Sequence, residues 1–102
     1  MTTPVSAILA RRSGGMSDMP VPDALISAQS TLTADAAAVA YDPSSVTDTG
    51  LFWFITPQTA DIRALITTAG TAATTTTGWL IPAGQTRDLK FAPGQKLSVI
   101  LA

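Results

Sequence analysis

The chain has 102 residues, with six basic and seven acidic side chains, a formal net charge of −1, and no histidine or cysteine. One domain's worth of near-neutral chain gives no electrostatic case for a nucleic-acid or membrane-surface binder. Without Cys and His, disulfides, thiolate metal sites, a Cys nucleophile and the commonest general base are excluded.

Every acidic residue is Asp, which suits turns better than helix interiors and leans against a helical fold. The charged fraction, 13%, is about half the ~25% of ordinary soluble domains. A surface so poor in charge is better accommodated when neighbours cover part of it. No stretch approaches the ~20 apolar residues of a membrane-spanning helix. Arg11 and Arg12 follow the first short apolar stretch instead of preceding it, which is not the pattern of a secretory signal.

Residues 1–23 are expected to form an arm and linker, separate from a domain over 24–102. Thr3-Pro4 reads as a helix start, with Thr3 as the N-cap and Pro4 at the first helical position. Val5, Ile8, Leu9 and Arg12 then fall at i, i+3, i+4 and i+7, and Gly14-Gly15 would end the element. A two-turn helix does not persist alone in water, so it must dock on something. Met16 to Asp23, with Pro20 and Pro22, reads as an extended linker.

From Ala24 onward the pattern is β. Leu25 to Thr33 alternates, with Leu25, Ser27, Gln29 and Thr31 on one side and Ile26, Ala28, Ser30 and Leu32 on the other. Ala34 to Tyr41 is Ala-rich and admits a helix, but a strand centred on Ala38 to Tyr41 is preferred because Pro43 follows and no charged helical face exists. After a turn-rich loop, Leu51 to Thr56, Asp61 to Thr68, Gly78 to Ile81, Thr86 to Phe91 and Lys96 to Leu101 are short runs cut by Gly and Pro, the mark of strands. Pro82-Ala83-Gly84 and Pro93-Gly94 read as successive tight turns of a meander. Leu51 to Ile55 is apolar on both sides, so both faces are expected to be covered. The fold class is all-β: a small antiparallel β-sandwich or barrel-like domain with an N-terminal arm containing a short helix.

Little in the chain could carry chemistry. Asp42 and Asp48 flank one loop and could share a hard cation, but Asp residues that cap their own turns are the ordinary case. Ser and Thr are plentiful without a base to activate them, and Gly14-Gly15 lacks the Lys-Ser/Thr of a phosphate loop. The run Thr71 to Thr77 reads as an exposed loop or edge strand, with a sugar-binding threonine ladder as the alternative. Trp53 sits inside an apolar strand and reads as core or interface. Trp79 reads as packed on the sheet, although an exposed Trp on a sandwich can stack on sugar rings.

The second half carries a recognisable string. Gly70-Thr71-Ala72-Ala73-Thr74-Thr75 is followed by Trp79-Leu80-Ile81, then Pro82-Ala83-Gly84-Gln85-Thr86, then Pro93-Gly94-Gln95-Lys96-Leu97-Ser98-Val99-Ile100. In this order the motifs resemble small β-domain structural proteins of tailed bacteriophages, over about half the chain. The resemblance implies a virion component such as a head decoration (cement) protein, a head-fibre base or a small tail part, with no catalytic residues to carry over.

The expectation is therefore a non-enzymatic bacteriophage structural protein. It would be a homo-oligomer made in the host cytoplasm and carried on the capsid exterior, where it binds and stabilises the head through the major capsid protein or another virion protein. No cofactor, metal, nucleic acid or membrane is expected. Val5, Ile8, Leu9, Arg11 and Arg12 of the arm, with Phe52, Phe54 and Ile100 on the strands, are the expected partner-binding residues. The alternative is a carbohydrate-binding β-sandwich module of a phage fibre or tail.

Overall fold

A computed structural model describes residues 2–13, 21–43 and 45–102, with the backbone alone at 12, 13 and 21–25. The described residues form eight strands and no helix: β1 (Thr3–Ser13), β2 (Val21–Ala34), β3 (Val39–Tyr41), β4 (Leu51–Pro57), β5 (Ile62–Thr67), β6 (Trp79–Ile81), β7 (Arg87–Lys90) and β8 (Lys96–Leu101). They make two four-stranded sheets, ordered β2-β1-β4-β7 and β3-β8-β5-β6. All the pairings are antiparallel, and the two sheets share one apolar interior in a sandwich-like arrangement.

The N-terminal helix is not there. Thr3–Ser13 is an inner strand of the first sheet, hydrogen-bonded to β2 on one side and β4 on the other. The residues that match a helical period also alternate: Val5, Ala7 and Leu9 are wholly buried, while Ser6 and Ile8 point the other way. Two strand neighbours satisfy the backbone on both edges, whereas a two-turn helix leaves most of its end groups unpaired. The boundary expected at residue 23 falls inside β2. The Gly14-Gly15 stop and the linker residues Met16 to Pro20 lie outside the described residues.

Thr3 still caps something, but it is an arch and not a helix. Its buried hydroxyl accepts from the Thr59 N–H at 2.8 Å, the Thr59 hydroxyl at 2.9 Å and the Ala60 N–H at 3.3 Å. That ties the start of β1 to the crossing between β4 and β5. The turn at Ala92-Pro93-Gly94-Gln95 forms as its composition predicts, with Gly94 at φ 90° and the Gln95 N–H on the Ala92 carbonyl. The strands flanking these turns are not a meander, however. β6, β7 and β8 lie alternately in the second, first and second sheets, so the turns are crossings between layers.

Trp53 is wholly buried at the centre of the shared interior. Tyr41 and Phe91 meet its ring edge-on, each with centroids at 5.7 Å. Its indole N–H has no acceptor among the described residues. Burial pushes the Tyr41 phenol above its usual 10.0.

A bulge alters the first sheet's edge. Pairing of β1 with β2 slips between Leu9 and Ala10, so Leu9 lies opposite Ala28 and Ala10 opposite Ile26. The extra residue moves Ile26 from the interior side, where simple alternation puts it, to the outer side, where it is 51% exposed.

Candidate functional site

Most of the expected contact residues lie within the fold. Val5 and Leu9 are wholly buried between the sheets. Phe54 points to the outer face of the first sheet, opposite Ile8, yet is only 4% exposed; Ile100, on the outer face of the second, is 6% exposed. Ile8 and Phe52 are half-buried, and Arg11 is exposed beside Gly50. The Arg12 side chain lies outside the described residues.

Strands that are apolar on both sides therefore have a local explanation. β4 and β8 are inner strands, and Phe54 and Ile100 on their outer faces are buried within the chain, although Phe52 is only half-buried. Over β8 the cover is visible: the Ala73 N–H bonds the buried Ser98 hydroxyl at 2.9 Å, and Ala73 is itself buried. The segment from Thr71 to Gly78 is thus anchored across the second sheet. Thr71 N–H bonds the Thr67 hydroxyl at 2.8 Å, and Arg63 donates to the Gly78 carbonyl at 3.2 Å. Gly78 sits so close to β5 that a Cβ there would lie 2.8 Å from the Ala64 carbonyl oxygen, at a φ of 108° that disfavours other residues.

Among the described residues, the exposed large apolar side chains are Ile26, Trp79 and Leu80. Trp79 and Leu80 are neighbours on β6, the edge strand of the second sheet. Trp79 lies opposite Ala64 on the interior side, and Leu80 lies opposite Arg63 on the outer side. Because β6 is an edge, both stay in water, at 53% and 45% exposure. The Arg87 guanidinium, from β7 of the other sheet, stacks over the Trp79 ring 4.8 Å from its centroid. The Arg63 Nε, beneath Leu80, is buried without a partner among the described residues.

Beside this pair is the threonine turn. Thr74 and Thr77 share a hydroxyl–hydroxyl bond of 2.7 Å, and Thr76 adds a third hydroxyl 3.3 Å from that of Thr74. All three side chains are exposed. The β6 edge thus presents an exposed aromatic ring stacked with one guanidinium and an exposed aliphatic side chain, with the hydroxyl cluster just before it in the chain.

Two acidic residues accept backbone bonds, Asp35 within its own turn and Asp61 across to the loop after β6. Asp61 accepts from the Ala83 N–H at 2.9 Å, and Asp35 from the Ala36 N–H at 2.7 Å. Asp42 and Asp48 are exposed, and among the described residues no three acidic side chains gather as metal ligands would.

Reading the sequence missed Leu80 and Arg87 and placed Trp79 against the sheet. A usable signal was present in Gly78 and Pro82. They confine β6 to three residues, and a strand so short that ends at a proline belongs at an edge, where side chains stay wet.

Compared with known protein families, curated sequences and solved structures, the chain shows no match.

Proposed function

We propose that this chain is a non-catalytic structural protein of a tailed-phage particle: a β-sandwich decoration module on the head exterior, engaging the shell through the β6–β7 flank. The motif string from Gly70 to Ile100 and the low charge support the particle assignment. The exposed Trp79–Leu80 pair carries the choice of surface. Trp and Arg are the side chains most enriched where interface energy concentrates. Here a Trp is held from behind by Arg87, and an approaching partner would bury Trp79 and Leu80 together.

The arm has no part in this reading, because residues 3–13 are already paired within the sheet. The test is occupancy of undecorated shells of the phage that encodes the chain, read by co-sedimentation. Trp79→Ala should weaken binding by about 2 kcal/mol or more, roughly thirtyfold. Equal occupancy by the variant would remove the flank from the account, and no binding by the parent protein would remove the decoration role.

The threonine turn supports a second reading, a carbohydrate-binding module of a phage fibre or tail. The free face of Trp79 can stack on a sugar ring, and the hydroxyls of Thr74, Thr76 and Thr77 can bond its rim. Titration with host surface polysaccharide would then shift Trp79 emission saturably, and a flat titration rejects the reading.

A further inference from the structure

We infer that the free edge of β2 pairs antiparallel with the β2 edge of a second copy, joining two molecules through one continuous sheet. The inference stands apart from which particle the chain joins.

Four strands lie at sheet ends: β2, β7, β3 and β6. Unpaired edges invite pairing with other chains, and proteins usually guard them with shortness, charge or proline. Three of the four are guarded in this way. β3 and β6 are three residues each, followed closely by Pro43 and Pro82, and β7 carries Arg87, Asp88 and Lys90 in four residues. β2 is different. Its guards, Pro22, Asp23 and the bulge beside Ile26, all sit in the first half of its 14 residues, and from Ala28 to Ala34 it holds no charge, proline or register slip.

The register shows which backbone groups are free. The Gln58 N–H bonds the Pro4 carbonyl, so Pro4 and every second residue along β1 turn their backbone groups toward β4. Thr3, Val5, Ala7 and Leu9 therefore turn toward β2, where they meet Ala34, Leu32, Ser30 and Ala28. The alternate residues of β2, namely Gln29, Thr31 and Thr33, direct their N–H and C=O groups away from the molecule. Their side chains are exposed on the outer face.

The stretch from Ala28 to Ala34 has no register slip, and Thr31 is its midpoint. A two-fold axis at Thr31 places Thr31 opposite its own counterpart and Gln29 opposite Thr33. That pairing forms about six N–H···O bonds without displacing any bond within one copy. It also sets Thr against Thr and Gln against Thr on the outer face, so like charges never meet. A second copy satisfies these demands by symmetry, because an isologous contact needs one self-complementary patch.

The geometry also supplies a clean test. Thr31→Pro removes an N–H that bonds nothing among the described residues, and edge positions of this kind tolerate proline. Thr31→Lys adds the charge that this edge lacks. Sedimentation equilibrium of the full chain should give twice the mass of one chain for the parent protein. It should give a single-chain mass for both variants, with near-UV circular dichroism unchanged; if Thr31→Pro unfolds, Thr31→Lys decides. In the dimer, the Gln29, Thr31 and Thr33 amides should exchange with solvent at least tenfold more slowly than in the Lys variant. A parent protein that stays monomeric at ~100 μM, or variants that dimerise equally well, would overturn the inference. So would protection of the Thr31 amide that appears only on adding capsid shells, since a different chain would then occupy the edge.

Discussion

The two flanks of the sandwich differ in kind. The β6–β7 flank is short, punctuated by Gly78 and Pro82, and dominated by side chains: Trp79, Leu80 and Arg87. On the opposite flank, β2 offers a long row of backbone groups under small, uncharged Ser, Thr and Gln side chains. Side chains on a rigid edge give selectivity for a partner of particular shape and chemistry. Backbone groups on a plain edge give pairing that any strand can match, which suits a contact between identical copies. A module that repeats on a particle needs both kinds of contact, one to hold its site and one to join its neighbours.

Each flank hangs from a specific anchor, and substitutions there should act unequally. The largest effect is expected at Thr3, which holds the strand that supports β2. Thr3→Val leaves the Thr59 and Ala60 donors without their acceptor and should cost about 1–3 kcal/mol in urea unfolding. Next comes Gly78→Ala, which drives a methyl into the Ala64 carbonyl and strains a positive φ. It should cost about 1 kcal/mol or more and shift Trp79 emission, while leaving the β2 edge as it was. Arg87→Ala removes only the stacked cation and should cost about 0.5–1 kcal/mol, with emission moving to the red. Compared at protein concentrations low enough that both are single chains, a comparable loss of stability from Thr31→Lys would break the distinction, because a bare edge position should then respond within ~0.5 kcal/mol.

The smallest effect is a pH dependence from the core. Tyr41 is the sole tyrosine, so alkaline absorbance titration reads it alone. Its folded pKa lies above the unfolded value of 10.0, so the folded state keeps its proton longer. This contribution to stability is complete below pH 10 and is lost as pH rises from 10 through the folded value. A midpoint at or below 10 would place Tyr41 outside the buried aromatic cluster.

The strands from β3 to β8 were legible because Gly and Pro punctuate most of them, and β2 from Leu25 onward because its residues alternate; its start at Val21 falls within the expected linker. Their sheet assignment was not legible. Nothing local in Pro82–Gly84 or Pro93–Gly94 says whether the chain turns back beside its last strand or crosses to the other layer. β1 was misread because Val5, Ile8, Leu9 and Arg12 satisfy a helical period while Val5, Ala7 and Leu9 satisfy a strand period; neighbours on both sides decided it. Several of the expected contact residues lie inside the fold for a related reason. Apolar character on both faces of Leu51–Ile55 and on Ile100 marks an inner strand, and over β8 the cover comes from the chain itself, as Ala73 over Ser98 shows. Ile26 reached the surface through a bulge that no periodicity could reveal.

On the proposed reading, the Trp79 flank and not the first sheet's outer face meets the particle. Quantitative co-sedimentation with undecorated shells tests it most directly, comparing Trp79→Ala with Ile8→Ser. The account predicts saturable occupancy that Trp79→Ala weakens roughly thirtyfold and that Ile8→Ser leaves intact. The reverse pattern, with Ile8 decisive and Trp79 silent, would contradict it.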